Sequence, residues 1–180
     1  GRLSQLIKLD LVDNHLSGTI PESIWQLTQL RLLAVGQNQL SGAISEKLGL
    51  LTQLRALGLN ANQLSGSIPD SLGQLEHLVQ LSLGKNQLSG RIPESLGQLS
   101  QLFELDLDGN RLSGEIPVSF GQMALLQEVY LNDNRLSGCI PESLGNLSQL
   151  TLLHMENNQL RGHIPSSFSK LSQLRMLNVQ

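Results

Sequence analysis

The chain has 180 residues, and its 15 acidic side chains outnumber its 12 Lys and Arg, which gives a net charge of -3 and an isoelectric point near 5.8. This charge does not favour binding to nucleic acid or to an anionic membrane surface. No apolar run approaches the roughly 20 residues that a membrane-spanning helix needs. The one cysteine, Cys139, excludes an internal disulfide, and we expect a tolerated surface thiol there.

A frame of 24 residues repeats along the whole chain. Each copy opens with Leu-x-x-Leu-x-Leu, and the alternation at the end of this segment predicts a short strand. An asparagine follows in every copy, where its side chain can bond backbone groups that the strand leaves unpaired. Stacked copies would therefore form an asparagine ladder. Its members are Asn14, Asn38, Asn62, Asn86, Asn110, Asn134 and Asn158.

A glycine stands four residues after each asparagine, and we expect it to adopt a positive φ. Ile-Pro comes next in most copies, and an acidic residue follows the proline in several of them. Proline at the first helical position and an acid behind it favour a short 3-10 or helical turn. A second glycine then limits the length of that turn. Trp25 replaces this glycine once, and we expect its ring to fill a groove.

One copy cannot bury its own apolar face, so neighbouring copies must stack. We predict an α/β solenoid, a right-handed superhelix with a parallel concave sheet of about eight strands and short 3-10 or helical turns on the convex side. Residues 1–180 are expected to form a single domain of about seven and a half repeats without capping domains. Apolar side chains at both ends would then face water, which favours either a fragment or ends covered by self-association. These end residues are Leu3, Leu6, Leu9, Leu11, Leu171, Leu174, Leu177 and Val179.

The frame LxxLxLxxNxLSGxIPxxLGxLxxL resembles the plant-type leucine-rich repeat, as in receptor-like kinase ectodomains and polygalacturonase-inhibiting proteins involved in defence. The resemblance implies a non-enzymatic module that binds a protein, peptide or glycan on its concave face. It also implies an extracellular or cell-surface location. The chain departs from these families because it lacks the cysteine-paired caps that they usually carry.

In a leucine-rich repeat the variable residues between the strand leucines point to the concave face. In the central and C-terminal copies these columns hold six acids, no Lys or Arg, and one tyrosine. We expect this negative surface to attract a basic protein or peptide. Solvation of a soluble solenoid is the alternative explanation for the acids. The candidate partner-binding residues are Glu104, Asp106, Asp108, Glu128, Tyr130, Asn132, His154 and Glu156.

The N-terminal half of the same face is smoother and carries small or apolar residues. It either accepts another chain or is an undecorated part of the repeat. Arg31 and Arg55 border this smoother surface. Its residues are Leu32, Ala34, Gly36, Ala56, Gly58 and Gly84.

Paired carboxylates also suggest glycosidase chemistry. We nevertheless predict that the protein is not an enzyme, because these acids should lie on an open, hydrated sheet with nothing to raise a carboxyl pKa. Asp106, Asp108 and Glu128 lack the loop spacing of a calcium site, and the histidines fall in different columns. We therefore expect no metal and no cofactor.

Asn146 begins an Asn-Leu-Ser sequon on the convex side and is a candidate for glycosylation. This sequon favours secretion weakly, because short sequons also occur by chance. Two alternatives to a concave-face binder stay open. One is an assembly subunit that a larger complex holds by its uncapped ends, and the other is an engineered repeat scaffold.

Overall fold

The structure, a computed structural model, describes residues 3–179, and their first sheet has eight parallel strands in chain order. Each strand pairs in register with the strand 24 residues further on, as Leu9 does with Leu33. The alternating frame places the strand leucine inward and its two neighbours outward, as at Leu105 in the fifth strand. The strands are β1 (Lys8–Asp10), β3 (Leu32–Ala34), β5 (Ala56–Gly58), β7 (Gln80–Ser82), β9 (Glu104–Asp106), β11 (Glu128–Tyr130), β13 (Leu152–His154) and β15 (Met176–Asn178). The prediction of a parallel sheet of about eight strands is confirmed.

A second parallel sheet of seven strands follows the asparagines, and the sequence analysis did not predict it. Six of its seven strands contain a Ser-Gly pair, and both residue types are poor strand signals. The glycines have φ between 79° and 88°, so the predicted positive φ is confirmed. Six of the seven lie in a strand rather than a turn, and Gly162 lies just past the last strand. The strands are β2 (Ser17–Thr19), β4 (Gln39–Ala43), β6 (Gln63–Gly66), β8 (Gln87–Arg91), β10 (Arg111–Gly114), β12 (Arg135–Cys139) and β14 (Gln159–Arg161).

Seven 3-10 turns connect the second sheet back to the first, and the described residues contain no α-helix. The prolines were predicted at the first position of each turn, but they lie one residue earlier, at the N-cap. Pro21, for example, has the extended backbone of a cap, with φ -64° and ψ 136°. The carbonyl of Pro21 accepts the first hydrogen bond of its turn from the N–H of Ile24. The turns span Glu22–Gln26, Glu46–Leu50, Asp70–Gln74, Glu94–Gln98, Val118–Gln122, Glu142–Asn146 and Ser166–Lys170.

One continuous apolar core runs through the stacked copies. Leu105, Leu112 and Phe120 come from the three sides of one copy and are fully buried. Trp25 is also buried, at 1% exposure, so its ring fills space between the first turns as expected. In the next five copies a glycine takes this position, and a Cβ on Gly97 would lie 2.6 Å from the carbonyl oxygen of Ser119 in the next turn.

From the second copy onward, each ladder asparagine forms side-chain hydrogen bonds to its own copy and to the preceding one. The amide nitrogen of Asn110 donates to the carbonyls of Leu83, Leu107 and Asp108, and its oxygen accepts from the N–H of Leu88. The same arrangement recurs from Asn38 to Asn158 along the chain. These amides satisfy backbone groups at the ends of the first-sheet strands.

The end residues are less exposed than the sequence analysis predicted. Leu3 and Leu11 are exposed, as expected. The prediction is wrong for Leu171, which is buried at 6% exposure, because the turn that it follows packs on the preceding copy. The remaining end residues are half-buried against the core, namely Leu6, Leu9, Leu174, Leu177 and Val179. Within residues 3–179 no helix is both long and apolar enough to cross a bilayer.

Candidate functional site

The candidate residues lie on the outward face of the first sheet, across its fifth to seventh strands. The parallel register aligns Glu104 with Glu128 on neighbouring strands. It also brings Asp106 beside Tyr130, and Tyr130 beside His154. Residues that are 24 apart in sequence therefore become direct neighbours. The sheet collects their side chains on one surface.

Four of these residues line an open pocket of about 220 Å³. They are Glu104, Asp106, Asp108 and Tyr130, and the sequence analysis missed the two other lining residues, Asn60 and Lys85. Asn60 and Asp108 occupy the same column two copies apart. The residue between them in that column is the feature of the sequence from which the pocket could have been predicted.

That residue is Gly84, whose missing side chain leaves room for the pocket. A Cβ added to Gly84 would lie against Oδ1 of Asp108 and 2.5 Å from Oδ1 of Asp106. Both carboxylates therefore lean over the same glycine of the preceding copy. Lys85, the next residue, has a positive φ of 55° and lines the same pocket.

Hydrogen bonds hold Asp106 in this position. Its Oδ2 accepts from the hydroxyl of Ser82 at 2.7 Å, and its Oδ1 accepts from the backbone N–H of Asp108 at 3.1 Å. Glu104 is held in a similar way, since its carboxylate accepts from the side-chain amide of Gln80 at 3.0 Å. Gln80 and Ser82 on β7 thus orient two of the pocket's three carboxylates.

The pKa of Asp108 is raised to about 6, first by burial and then by the charge and hydrogen bonding of Asp106. Lys85 opposes this rise, and Asp133 in the next copy adds to it. The expectation that nothing on this sheet raises a carboxyl pKa was therefore wrong. The sheet is not uniformly hydrated, because packing over Gly84 removes part of the water around Asp108.

Tyr130 connects the pocket to a second group of candidate residues. Its hydroxyl donates to Glu128 at 3.0 Å, and its ring stacks on His154 with centroids 5.6 Å apart. Burial raises the pKa of Tyr130 to about 12, and Glu128 adds to the rise. Tyr130 is therefore a neutral aromatic surface beside a row of carboxylates.

His154 is the centre of the second group. Its Nδ1 lies 2.9 Å from Oε1 of Glu156 and 3.1 Å from the side-chain amide of Asn178, and its Nε2 lies 3.2 Å from the sulfur of Met176. Asn178 and Met176 were not predicted as site residues. Oε2 of Glu156 is buried and has no hydrogen-bond partner among the described residues.

Asn132 does not join either group. Its amide donates to the carboxylate of Asp133 at 2.7 Å, and Asp133 also accepts from Asn157 in the next copy. The structure therefore places the eight candidates on one face but divides them. Glu104, Asp106 and Asp108 line the pocket with Tyr130, while the others extend from it.

Within residues 3–179 no three His, Cys, Asp or Glu side chains are arranged to hold a metal ion. Cys139 is a free, exposed thiol, as expected. Oriented carboxylates beside an aromatic face are groups that can contact an ammonium or guanidinium cation.

The chain resembles solved structures of plant proteins over almost its whole length. A plant peptide hormone receptor in complex with RGF2 is 36% identical, with a TM-score of 0.93 over 94% of this chain and 27% of that one. The ectodomain of the Arabidopsis receptor kinase HAESA, in complex with an IDA peptide hormone, is 39% identical, with a TM-score of 0.95 over 99% of this chain and 30% of that one. A plant ice-binding protein is 32% identical, with a TM-score of 0.85 over 98% of this chain and 56% of that one. The chain spans less than a third of the two receptors.

No curated protein matches the chain. Residues 52–112 and 119–180 match the family described as Leucine rich repeat, and residues 5–27 match a second family of the same description. These matches cover most of the sequence and agree with the stacked copies of the structure. The chain therefore belongs to the leucine-rich repeat family.

Proposed function

We propose that this chain is a non-enzymatic recognition module that binds a basic protein or peptide on its concave sheet. The observation that carries the proposal is the pocket beside Tyr130, where the carboxylates of Glu104, Asp106 and Asp108 converge. An Arg or Lys side chain of the partner would place its cation against these carboxylates and its stem along the tyrosine ring. Glu128, Asn132, His154 and Glu156 extend the surface for the rest of the partner.

The comparisons support the class of partner and the location. Two similar solved structures are plant receptors in complex with peptide hormones, which favours a protein or peptide partner. They also favour an extracellular or cell-surface location, where the exposed Asn146 would be available for glycosylation. Because the chain spans a small share of those receptors, the proposal concerns this segment alone.

The fold by itself does not decide between functions. The ice-binding protein shares the same architecture, and a fold can carry unrelated sites. The proposal therefore depends on side chains that this chain places in its pocket. A carboxylate that binds a proton near pH 6 is compatible with acid-base chemistry, but the open concave sheet favours a contact with a partner surface.

The proposal can be tested with an array of peptides of equal length whose net charge runs from acidic to basic. The chain should retain basic peptides, and the best binder is then measured by calorimetry against the triple variant E104Q, D106N and E128Q. We expect a loss of at least about tenfold in affinity, or 1.4 kcal/mol, because three oriented carboxylates lose their charge.

The matched control is the double variant D10N and D13N, which removes acids from the first copy outside the pocket. It should change the affinity by less than about twofold, since these exposed charges lie about four copies away from the pocket and are screened by salt. Retention of acidic and basic peptides alike, or an equal loss in both variants, would reject the concave pocket as the binding site.

A further inference from the structure

The Asp106 and Asp108 carboxylates form a pair over Gly84. One oxygen of each approaches the point where a Cβ of residue 84 would stand, and the approach is 2.5 Å for Asp106. Two carboxylates that approach the same point repel each other when both are ionised. Glycine allows the approach because any other residue at position 84 would hold them apart.

The surroundings of the two carboxylates differ. Asp106 accepts hydrogen bonds from the hydroxyl of Ser82 and from the backbone N–H of Asp108. The carboxylate of Asp108 receives no such donor among the described residues. Of the two groups, Asp108 therefore has the greater tendency to hold a shared proton.

Charged groups approach Asp108 from three sides. Lys85 belongs to the preceding copy, Asp106 to the same strand end, and Asp133 to the following copy. Glu104 and Tyr130 line the same pocket from β9 and β11. A single lysine thus faces several carboxyl groups. Burial and Asp106 together raise the pKa of Asp108 to about 6, while Lys85 limits the rise.

We propose that the Asp106–Asp108 pair is a proton switch, which takes up one proton in mildly acidic solution and thereby reduces the negative charge of the pocket. In the protonated state Asp108 donates a hydrogen bond to Asp106, and the pair carries one negative charge. Above the transition both carboxylates are ionised, and the pocket attracts a cation more strongly. This inference rests on the proposed function for its effect on binding, but the proton uptake stands without it.

The uptake of the proton is measured on the protein alone, by following the carboxyl carbon of Asp108 with NMR from pH 3 to 8. We expect a transition near pH 6, about 2 above the ordinary aspartate value of 3.8. The D106N variant should move the midpoint towards the ordinary value, because it removes the neighbouring charge. The D10N variant is the control, because Asp10 occupies the same column as Asp106 but lies four copies away from the pair. It should leave the midpoint of Asp108 unchanged.

A transition of Asp108 below pH 4.5 in the unmodified protein would overturn the switch, and so would equal midpoints in the D106N variant and the unmodified protein. The effect on binding is measured with hexa-arginine as the probe, at pH 5.0 and pH 7.5. We expect affinity to rise about fivefold at the higher pH, and this rise should vanish in D108N. Failure of hexa-arginine to bind at either pH would count against the proposed function, while the titration would still decide the switch.

Discussion

Replacement of Asn110 by alanine tests whether the asparagine ladder stabilises the stack through interactions between copies. The side chain accepts from the buried N–H of Leu88 at 3.0 Å and donates to three carbonyls at 3.1 to 3.2 Å. An amide has two protons, so the substitution removes two donors and one acceptor. A buried polar group that loses its partner costs about 1–3 kcal/mol. The three carbonyls each keep another donor, namely Asn86 for Leu83, Asn134 for Leu107 and the N–H of Lys85 for Asp108, so the loss falls mainly on the N–H of Leu88. We therefore expect Asn110→Ala to lower the free energy of unfolding by about 2–3 kcal/mol.

Asn14 provides the matched control, because it occupies the same column in the first copy. Its amide donates to the carbonyls of Leu11 and Val12, and within residues 3–179 its side-chain oxygen accepts no hydrogen bond. All three residues are exposed, so water can replace the lost bonds. Asn14→Ala should therefore cost no more than about 1 kcal/mol.

Urea unfolding, followed by circular dichroism, measures both changes in stability. Hydrogen exchange gives a more local measurement, because the amide of Leu88 should exchange faster in Asn110→Ala while other strand amides of the first copies stay protected. Equal destabilisation by the two variants, or unchanged protection of the Leu88 amide, would refute the reasoning that the cost arises from bonds between buried copies.

Two further predictions concern the backbone. Ala61 has a φ of 51°, which costs an L-residue about 1–2 kcal/mol, so Ala61→Gly should stabilise the protein by about 0.5–1 kcal/mol after the entropy of glycine is subtracted. Gly109→Ala changes the equivalent position, where φ is 58°, and should lower the free energy of unfolding by a similar amount in the same urea assay. Equal stability of the two variants and the parent would contradict both expectations. Gly97→Ala should destabilise by about 1–3 kcal/mol, because its Cβ would meet the backbone of Ser119, and a melting temperature within 1 °C of the parent would show that the turns can separate.

The repeat predicted the parallel sheet and its turns because each fixed position has a local physical reason. The second sheet was missed because Ser-Gly segments such as Ser113 and Gly114 become strands only through pairing with the neighbouring copy. The residue before each asparagine was also missed. Gln37, Ala61 and Lys85 adopt a positive φ that their residue types disfavour, because the turn geometry of the stack requires it.

The candidate site could be predicted in part. The columns placed Asp106 and Tyr130 on the outward face, since alternate residues of a strand share one side. They did not predict that Asn60 and Lys85 would line the same pocket. The contact of Asn60 spans two strand spacings and depends on the side-chain size in the copy between them, while Lys85 belongs to the adjacent copy and has a positive φ that the columns did not predict. Gly84, which stands between Asn60 and Asp108 in the same column, decides the contact of Asn60.

The sequence by itself determined that this protein is a stack of equivalent copies, because a leucine frame of constant period can be buried only by its neighbours. It also determined which columns vary and are therefore available to a partner. The tertiary structure alone decided which variable side chains meet. The pair over Gly84, the raised pKa of Asp108 and the stack of Tyr130 on His154 all depend on distances between copies. Such distances follow from packing and desolvation, which act only after the copies have assembled.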